Sequence, residues 1–324
     1  MATRILMRAT GGPEVLKTDS YEPGRPGPGE VLVRHKAVGL NFIDCYFRSG
    51  LYPTPLPYTP GFEASGLVEA VGDGVTELKP GQRVAYGTGP AGAYCDLRVM
   101  PVATLVPIPE TIDDDSACAM MLKGMTAQYL LRQTFKVQAG QTILIHAAAG
   151  GVGLLVCQWA KHLGATVIGT VSSEEKAALA KAHGCDHPII YTRDDFVGAV
   201  KELTGGKGVD VVYDSVGKDT FLKSMDCLRK LGMLVTFGQS SGKIEPFDTA
   251  LLAQKGSLFL TRPTLFTYVA TRDELLACAN DLIEVVGSGA VKVKVDQKYQ
   301  LADAAQAHRD LESRKTTGCT LLVP

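Results

Sequence analysis

Residues 142–165 read TILIHAAAGGVGLLVCQWAKHLGA: a short apolar run, a turn of alanines and glycines, then a helical pattern that stops at Gly164. Strand, glycine-rich turn and helix in that order open the dinucleotide-binding unit, whose fingerprint is G-x-G-x-x-G. Set on that pattern, Ala148 takes the first position, and Gly150 and Gly153 take the second and third. Gly150 and Gly151 let backbone N–H groups approach a pyrophosphate at the positive end of the helix, with Val152 beside them, and Gly153 lets the helix pack closely on the strand. A glycine-rich turn also occurs in sheets that bind nothing. Here the strand before it and the helix after it favour dinucleotide binding.

The surrounding sequence repeats the alternation. Apolar runs at TVIGTV (166–171), HPIIYT (187–192), VDVVYDSV (209–216), GMLVTFG (232–238) and SLFLTRP (257–263) are separated by helical stretches, with Gly184 as a second helix stop. Strands that are apolar throughout belong to a sheet buried on both faces, so the expected fold class is α/β with a doubly wound parallel sheet. Before it, EVLVRHKAVGL (30–40), SGLVEAVG (65–72), QRVAYG (82–87) and ATLVPIP (103–109) are short β-branched runs punctuated by Gly and Pro, which predicts a mostly β domain. The character changes near residue 116, where an Ala- and Leu-rich stretch predicts a helix of about 18 residues. Beyond about residue 268, helix, strand, helix and a final strand TLLVP return to mixed character.

Composition narrows the function. The 33 basic and 34 acidic residues carry no blocks of one sign, which argues against a nucleic-acid or membrane-surface partner and for a small ligand. No run approaches the roughly 18 apolar residues of a spanning helix, and the expectation is a soluble, cytoplasmic protein. Eight scattered cysteines without a C-x-x-C pair read as reduced and buried, with no structural zinc. NAD-selective sheets place an acid at the end of the second strand, but here Thr170, Val171, Ser172 and Ser173 precede the first acid, Glu174. Ser172, Ser173 and Lys176 offer hydroxyls and a cation to a 2′-phosphate, so NADPH is the expected cofactor. Ser172 also fits a capping box with Glu175, and Lys176 a solvated helix face.

Together with HAAAGGVGLLVCQWAKHLGA and VVYDSVG, the segments VGLNFIDCYFRSGLYP, GFEASGLVEAVGDGV, LKGMTAQYLL and ESRKTTGCTLLVP resemble the medium-chain dehydrogenase/reductase superfamily over the whole chain. More narrowly, they resemble the zinc-independent, zeta-crystallin-like quinone oxidoreductases. The resemblance implies a GroES-like catalytic domain from residues 1–122 and 268–324, with a Rossmann NADP(H)-binding domain, 123–267, inserted in it. It also implies a cleft where the nicotinamide meets the acceptor, and a homodimer, for which SLFLTRP supplies an edge strand. Zinc alcohol dehydrogenases carry ligands where this chain has Asn41, Phe62 and Lys123, none of which suits a catalytic zinc, so no metal is expected. Without a Lewis acid, alcohol oxidation loses several kcal/mol of transition-state stabilisation. Electron-poor quinones need no such help.

By the resemblance, Asn41 sits beside the nicotinamide, and Asp44, Tyr46 and Tyr52 lie near the acceptor. Lys123 and Thr126 contact the nicotinamide end. Tyr191, Ser215, Phe237, Gly238 and Ser240 occupy strand ends at the carboxyl edge, where ligands bind in open α/β sheets. Phe266 and Arg314 join them on resemblance alone, Arg314 toward the 2′-phosphate. Each has an ordinary alternative: a cap for Asn41, packing for the tyrosines, a surface charge for Arg314. His146 and Trp159 are expected to be a satisfied strand-end residue and helix core. NADPH-dependent quinone reduction is the leading reading. An enal or enone reductase and a non-catalytic, NADPH-binding crystallin-like protein are the alternatives.

Overall fold

A computed structural model describes all 324 residues. The chain divides into two compact units: Met1–Met125 with Val269–Gly287 and Val293–Pro324, and Thr126–Tyr268 with Ser288–Lys292. The division falls within the helix Asp114–Tyr129, which continues as one π-helical turn, Leu130–Thr134.

The six apolar runs of the second unit are its six strands: Thr142–Ile145, Thr166–Val171, His187–Ile190, Val209–Asp214, Leu228–Thr236 and Phe259–Thr261. Counted along the chain, their spatial order is 3-2-1-4-5-6, and every pairing is parallel. The order reverses beside the first strand, which is where an open α/β sheet forms its ligand crevice. Val167, Ile143, Val211 and Leu234 are buried, as a sheet covered on both faces requires. The helix Gly151–His162 ends before Gly164, which takes the left-handed conformation at φ 83°, and Gly184 does the same at φ 89°. Trp159 is core. His146 is buried and bonded through Nδ1 to Thr170 Oγ1 at 2.9 Å and through Nε2 to Ser224 Oγ at 2.9 Å.

The first unit is built on a seven-stranded, largely antiparallel sheet. Its central strand Glu30–Leu40 pairs with Glu63–Val71 on one side and Cys319–Val323 on the other. The last strand of the chain therefore completes the domain that the first hundred residues begin. Alternating inward residues, among them Val31, Val33, Val68, Val84 and Met100, form the core under this sheet. The tail elements are the helix Arg272–Gly287, the strand Val295–Gln300 and the helix Ala304–Glu312. All eight cysteines are free and buried.

One local expectation is corrected. The helix after the second strand runs Glu174–Ala182 and is capped by Ser173, whose hydroxyl accepts from the Lys176 N–H at 3.3 Å. Ser172 is not the cap, because the helix starts one residue later than the S-x-x-E spacing from Ser172 would place it. Ser172 lies half-buried at the carboxyl end of its strand.

Candidate active site

In the first unit, Asn41 ends the central strand and caps the helix Phe42–Ser49. That helix start has an extended residue at Asn41 and an acid at its third position, so the Asp44 carboxylate returns to the Asn41 N–H, 2.9 Å from Oδ2. The Asn41 side chain is held separately. Its amide donates to Glu63 Oε2 at 2.9 Å, and Lys123 Nζ donates to the same oxygen at 2.8 Å. The other Glu63 oxygen accepts the Leu122 N–H at 2.7 Å. Glu63 is wholly buried, and Asn41 and Lys123 are each 6% exposed.

A buried carboxylate of this kind persists only because three donors compensate it. Burial, the largest single influence, works to lower the Lys123 pKa, but the Glu63 charge and hydrogen bond, with smaller contributions from Cys319 and Cys118, together hold the ammonium above its ordinary value. Glu63 can only accept, so the Asn41 amide is fixed with its NH₂ toward Glu63 and its carbonyl oxygen turned away. Gly39 makes room for this arrangement, since a Cβ there would stand 2.0 Å from Glu63 Oε2.

Asp44 is 1% exposed, and burial pushes its carboxyl up to about 7 against the stabilising bonds from Asn41 and Tyr94. Beside it an aromatic cluster is assembled from the same helix and the loop after it. The rings of Tyr46 and Tyr52 lie edge to face at 5.2 Å, and Phe47 contacts Tyr52, Tyr58 and Phe62 at 5.6, 5.7 and 5.5 Å. Tyr46 and Tyr52 are half-buried. Asn41, Asp44, Lys123, Tyr46 and Tyr52 are thus brought together within one unit. Arg314 lies in this unit too, exposed and at φ 59°, just beyond the helix Ala304–Glu312.

The second unit presents its predicted residues along the carboxyl edge of the parallel sheet. Gly150 is the extended cap of the helix that Gly151 begins, so the N–H groups of Gly151, Val152 and Gly153 have no acceptor inside the helix. A Cβ at Gly153 would stand 2.2 Å from the Ala147 carbonyl oxygen, which is why the helix start can sit this close to the strand. Ser172, Tyr191, Ser215 and Phe237 follow their strands at the same edge, and Tyr191 is exposed. Gly238 packs its backbone against Ser215, where a Cβ would meet the Ser215 carbonyl oxygen at 2.6 Å. The Ser240 N–H donates to the Ser215 carbonyl at 3.1 Å. Thr126 is 6% exposed at the start of the unit, and Phe266 lies on the short helix Leu265–Tyr268.

This edge fits a dinucleotide: unpaired helix N–H groups, glycines that let the helix start and the Ser215 turn pack closely on the strands, and Lys176 and two serines where the second strand ends. A catalytic zinc does not fit the first unit, because Asn41, Phe62 and Lys123 provide an amide, a ring and an ammonium already paired to Glu63. No group of three or more His, Cys, Asp or Glu side chains converges anywhere in the chain.

Several contributors were missed from sequence. Glu63 joins Asn41 to Lys123, and Tyr94 and His308 support Asp44 from distant parts of the chain, with Arg48, one helical turn beyond Asp44, holding His308. Asp214 is a further organiser, accepting from the Val216 and Gly217 N–H groups at 2.8 and 3.0 Å and so shaping the turn that carries Ser215. Only the Glu of G-F-E gave a local signal.

A parallel sheet in 3-2-1-4-5-6 order, joined to a GroES-like β unit that carries a polar cluster, defines a medium-chain dehydrogenase/reductase. Residues 27–110 match the alcohol dehydrogenase GroES-like domain, and residues 151–283 match the zinc-binding dehydrogenase family. The chain is 54% identical to the quinone oxidoreductase of Pseudomonas aeruginosa, and 46% identical to a 2-haloacrylate reductase of a Burkholderia species, over 100% of this chain and 100% and 99% of theirs. The structure of Escherichia coli quinone oxidoreductase complexed with NADPH, 48% identical, covers both chains completely with a TM-score of 0.98. The chain belongs to the quinone oxidoreductase family of the medium-chain dehydrogenase/reductase superfamily.

Proposed function

We propose that this protein is an NADPH-dependent quinone reductase that works without zinc. The observation that carries the reading is the Asn41–Glu63–Lys123 cluster, in which Glu63 pairs two residues, Asn41 and Lys123, that stand where a catalytic metal would need soft or imidazole ligands. When bound, NADPH supplies a hydride. The N–H groups of Gly151 and Val152, with Gly150 before them, cradle the pyrophosphate, and Ser172, Ser173 and Lys176 meet the 2′-phosphate, with Arg314 reaching toward it. Tyr191, Ser215, Phe237, Gly238, Ser240 and Phe266 line the remainder of the cofactor. Asn41, Lys123 and Thr126 address its nicotinamide end. Tyr46 and Tyr52 hold the acceptor by ring contact and hydroxyl hydrogen bonds, and Asp44 holds the Asn41 backbone in place. The chemistry asked of these groups is positioning and exclusion of water, which suits an acceptor that already delocalises the charge it gains.

The relatives named quinone oxidoreductase support this acceptor class. Eight free, buried cysteines support a reducing compartment such as the cytoplasm, and no helix is long and apolar enough to cross a membrane. A homodimer is supported by the strand Phe259–Thr261, which ends its sheet with Phe259 55% exposed. The test is NADPH and NADH oxidation against quinones, enones, 2-haloacrylate and simple ketones. Turnover with NADPH and quinones is expected. Turnover with the alkenes alone moves the function to alkene reduction, and cofactor binding without turnover points to a non-catalytic protein.

A further inference from the structure

The side chains supporting Asp44 form a hydrogen-bond chain with a fixed direction. Arg48 can only donate: it grips Glu312 at 2.6 and 2.8 Å, and its Nη1 also lies 3.3 Å from His308 Nδ1. With Arg48 able only to donate and the Cys45 thiol, 3.4 Å away, a second donor, that nitrogen is the bare acceptor, which puts the imidazole hydrogen on Nε2, 3.0 Å from the Tyr94 hydroxyl oxygen. Tyr94 is left to donate its own hydrogen to Asp44 Oδ2 at 3.1 Å. The same oxygen accepts the Asn41 N–H at 2.9 Å. With Oδ2 occupied by two donors, a carboxyl proton belongs on Oδ1, which is buried and has no partner.

The charged and titratable groups facing Asp44 leave it no cation. Lys123 is committed to Glu63, and Arg48 to Glu312. His308 is kept neutral by burial and by Arg48, its pKa lowered to about 3. Cys45 on the same helix, Tyr58 and Tyr94 are held in their neutral forms by burial. Burial correspondingly favours the neutral acid at Asp44 itself.

We infer that Asp44 is a positioning residue whose proton on Oδ1 keeps the site it forms with the Asn41–Glu63–Lys123 cluster free of net charge, and that its ionisation slows turnover. The inference rests on the quinone-reductase reading, in which the acceptor gains negative charge near Asn41. Ionised Asp44 sets a second carboxylate against one ammonium and opposes that gain.

Asp44→Asn keeps the shape and cannot ionise. In the wild type, kcat is expected to fall roughly tenfold from about pH 6 to about pH 9, whereas Asp44→Asn, whatever its absolute rate, stays flat over that range. Tyr94→Phe removes a donor that favours the ionised form and moves the break to higher pH without abolishing it. A readout independent of turnover is ¹³C-aspartate NMR of the protein alone, where the signal missing from Asp44→Asn titrates near neutrality in the wild type. An Asp44 signal titrating in the ordinary carboxylate range, or the same pH break in Asp44→Asn, overturns the inference. Inertness toward quinones at every pH, with Asp44 still titrating near neutrality, overturns the quinone reading and the effect on turnover with it.

Discussion

The two units build their sites from opposite materials. At the carboxyl edge of the parallel sheet the work falls to backbone: a glycine turn, unpaired N–H groups at a helix start, and half-exposed serines and a lysine. In the GroES-like unit it falls to side chains that are almost wholly buried, with Glu63 at 0% exposure holding Asn41 and Lys123, and Asp44 held by Tyr94. A backbone cradle accepts the invariant part of a ligand, a diphosphate, and costs little to maintain. A buried ionic cluster is expensive and persists only when every donor and acceptor is matched, so removing one member leaves the others uncompensated.

The largest expected effect is at the hub of the buried cluster. Glu63→Ala strands the Lys123 ammonium and the Asn41 amide, and should cost about 3–5 kcal/mol of stability in denaturant unfolding. A loss below about 1 kcal/mol would mean that the cluster is screened like a surface pair. The matching change in the cradle is Gly153→Ala, which brings a Cβ to 2.2 Å from the Ala147 carbonyl oxygen. It should destabilise by about 1–3 kcal/mol, and NADPH binding by calorimetry should weaken with it.

Acid separates the regions next. Burial lowers the pKa values of His35 and His308 to about 3, and it lowers the His146 pKa below its ordinary value against the opposing Asp214 charge. The unfolded chain therefore binds more protons below about pH 6.5, and stability should fall as pH drops from there toward about 4. Asp44 has the opposite sign: its raised pKa means that the folded state binds the extra proton between about 4 and 7, which partly opposes the histidines. Asp44→Asn should therefore steepen the acid loss by about 1 kcal/mol per pH unit, read from urea midpoints at two pH values. An unchanged slope would mean that Asp44 titrates alike in both states. The smallest effect belongs to the partly exposed edge. Lys176→Ala should weaken NADPH about five- to tenfold and NADH hardly at all, whereas equal losses would show that Lys176 does not read the phosphate.

The same contrast explains what was legible in the sequence. The Rossmann sheet could be read strand by strand, because its period, its glycine stops and the turn at 147–153 are local signals. Asn41 and Asp44 were found by resemblance to a short motif, and the three-residue spacing from helix cap to N3 explains their contact. Tyr94 and His308 carried no signal, since partners 50 and 264 residues from Asp44 are brought to it by the sheet and by the returning C-terminal tail, which no spacing rule encodes. Glu63 stood in a recognised segment, yet its role depends on Gly39 and Lys123 lying beside it in the fold. The capping error at Ser172 was a shift of one residue, where two adjacent serines offered the same chemistry.

The claim that quinone reduction here needs no metal, with a buried ion cluster standing where a metal site would be, is tested most directly by measuring quinone-dependent NADPH oxidation in exhaustively chelated protein, with bound metal assayed on the same sample. Undiminished turnover with metal far below one per chain is expected. Loss of turnover on chelation, restored by added zinc, would contradict it.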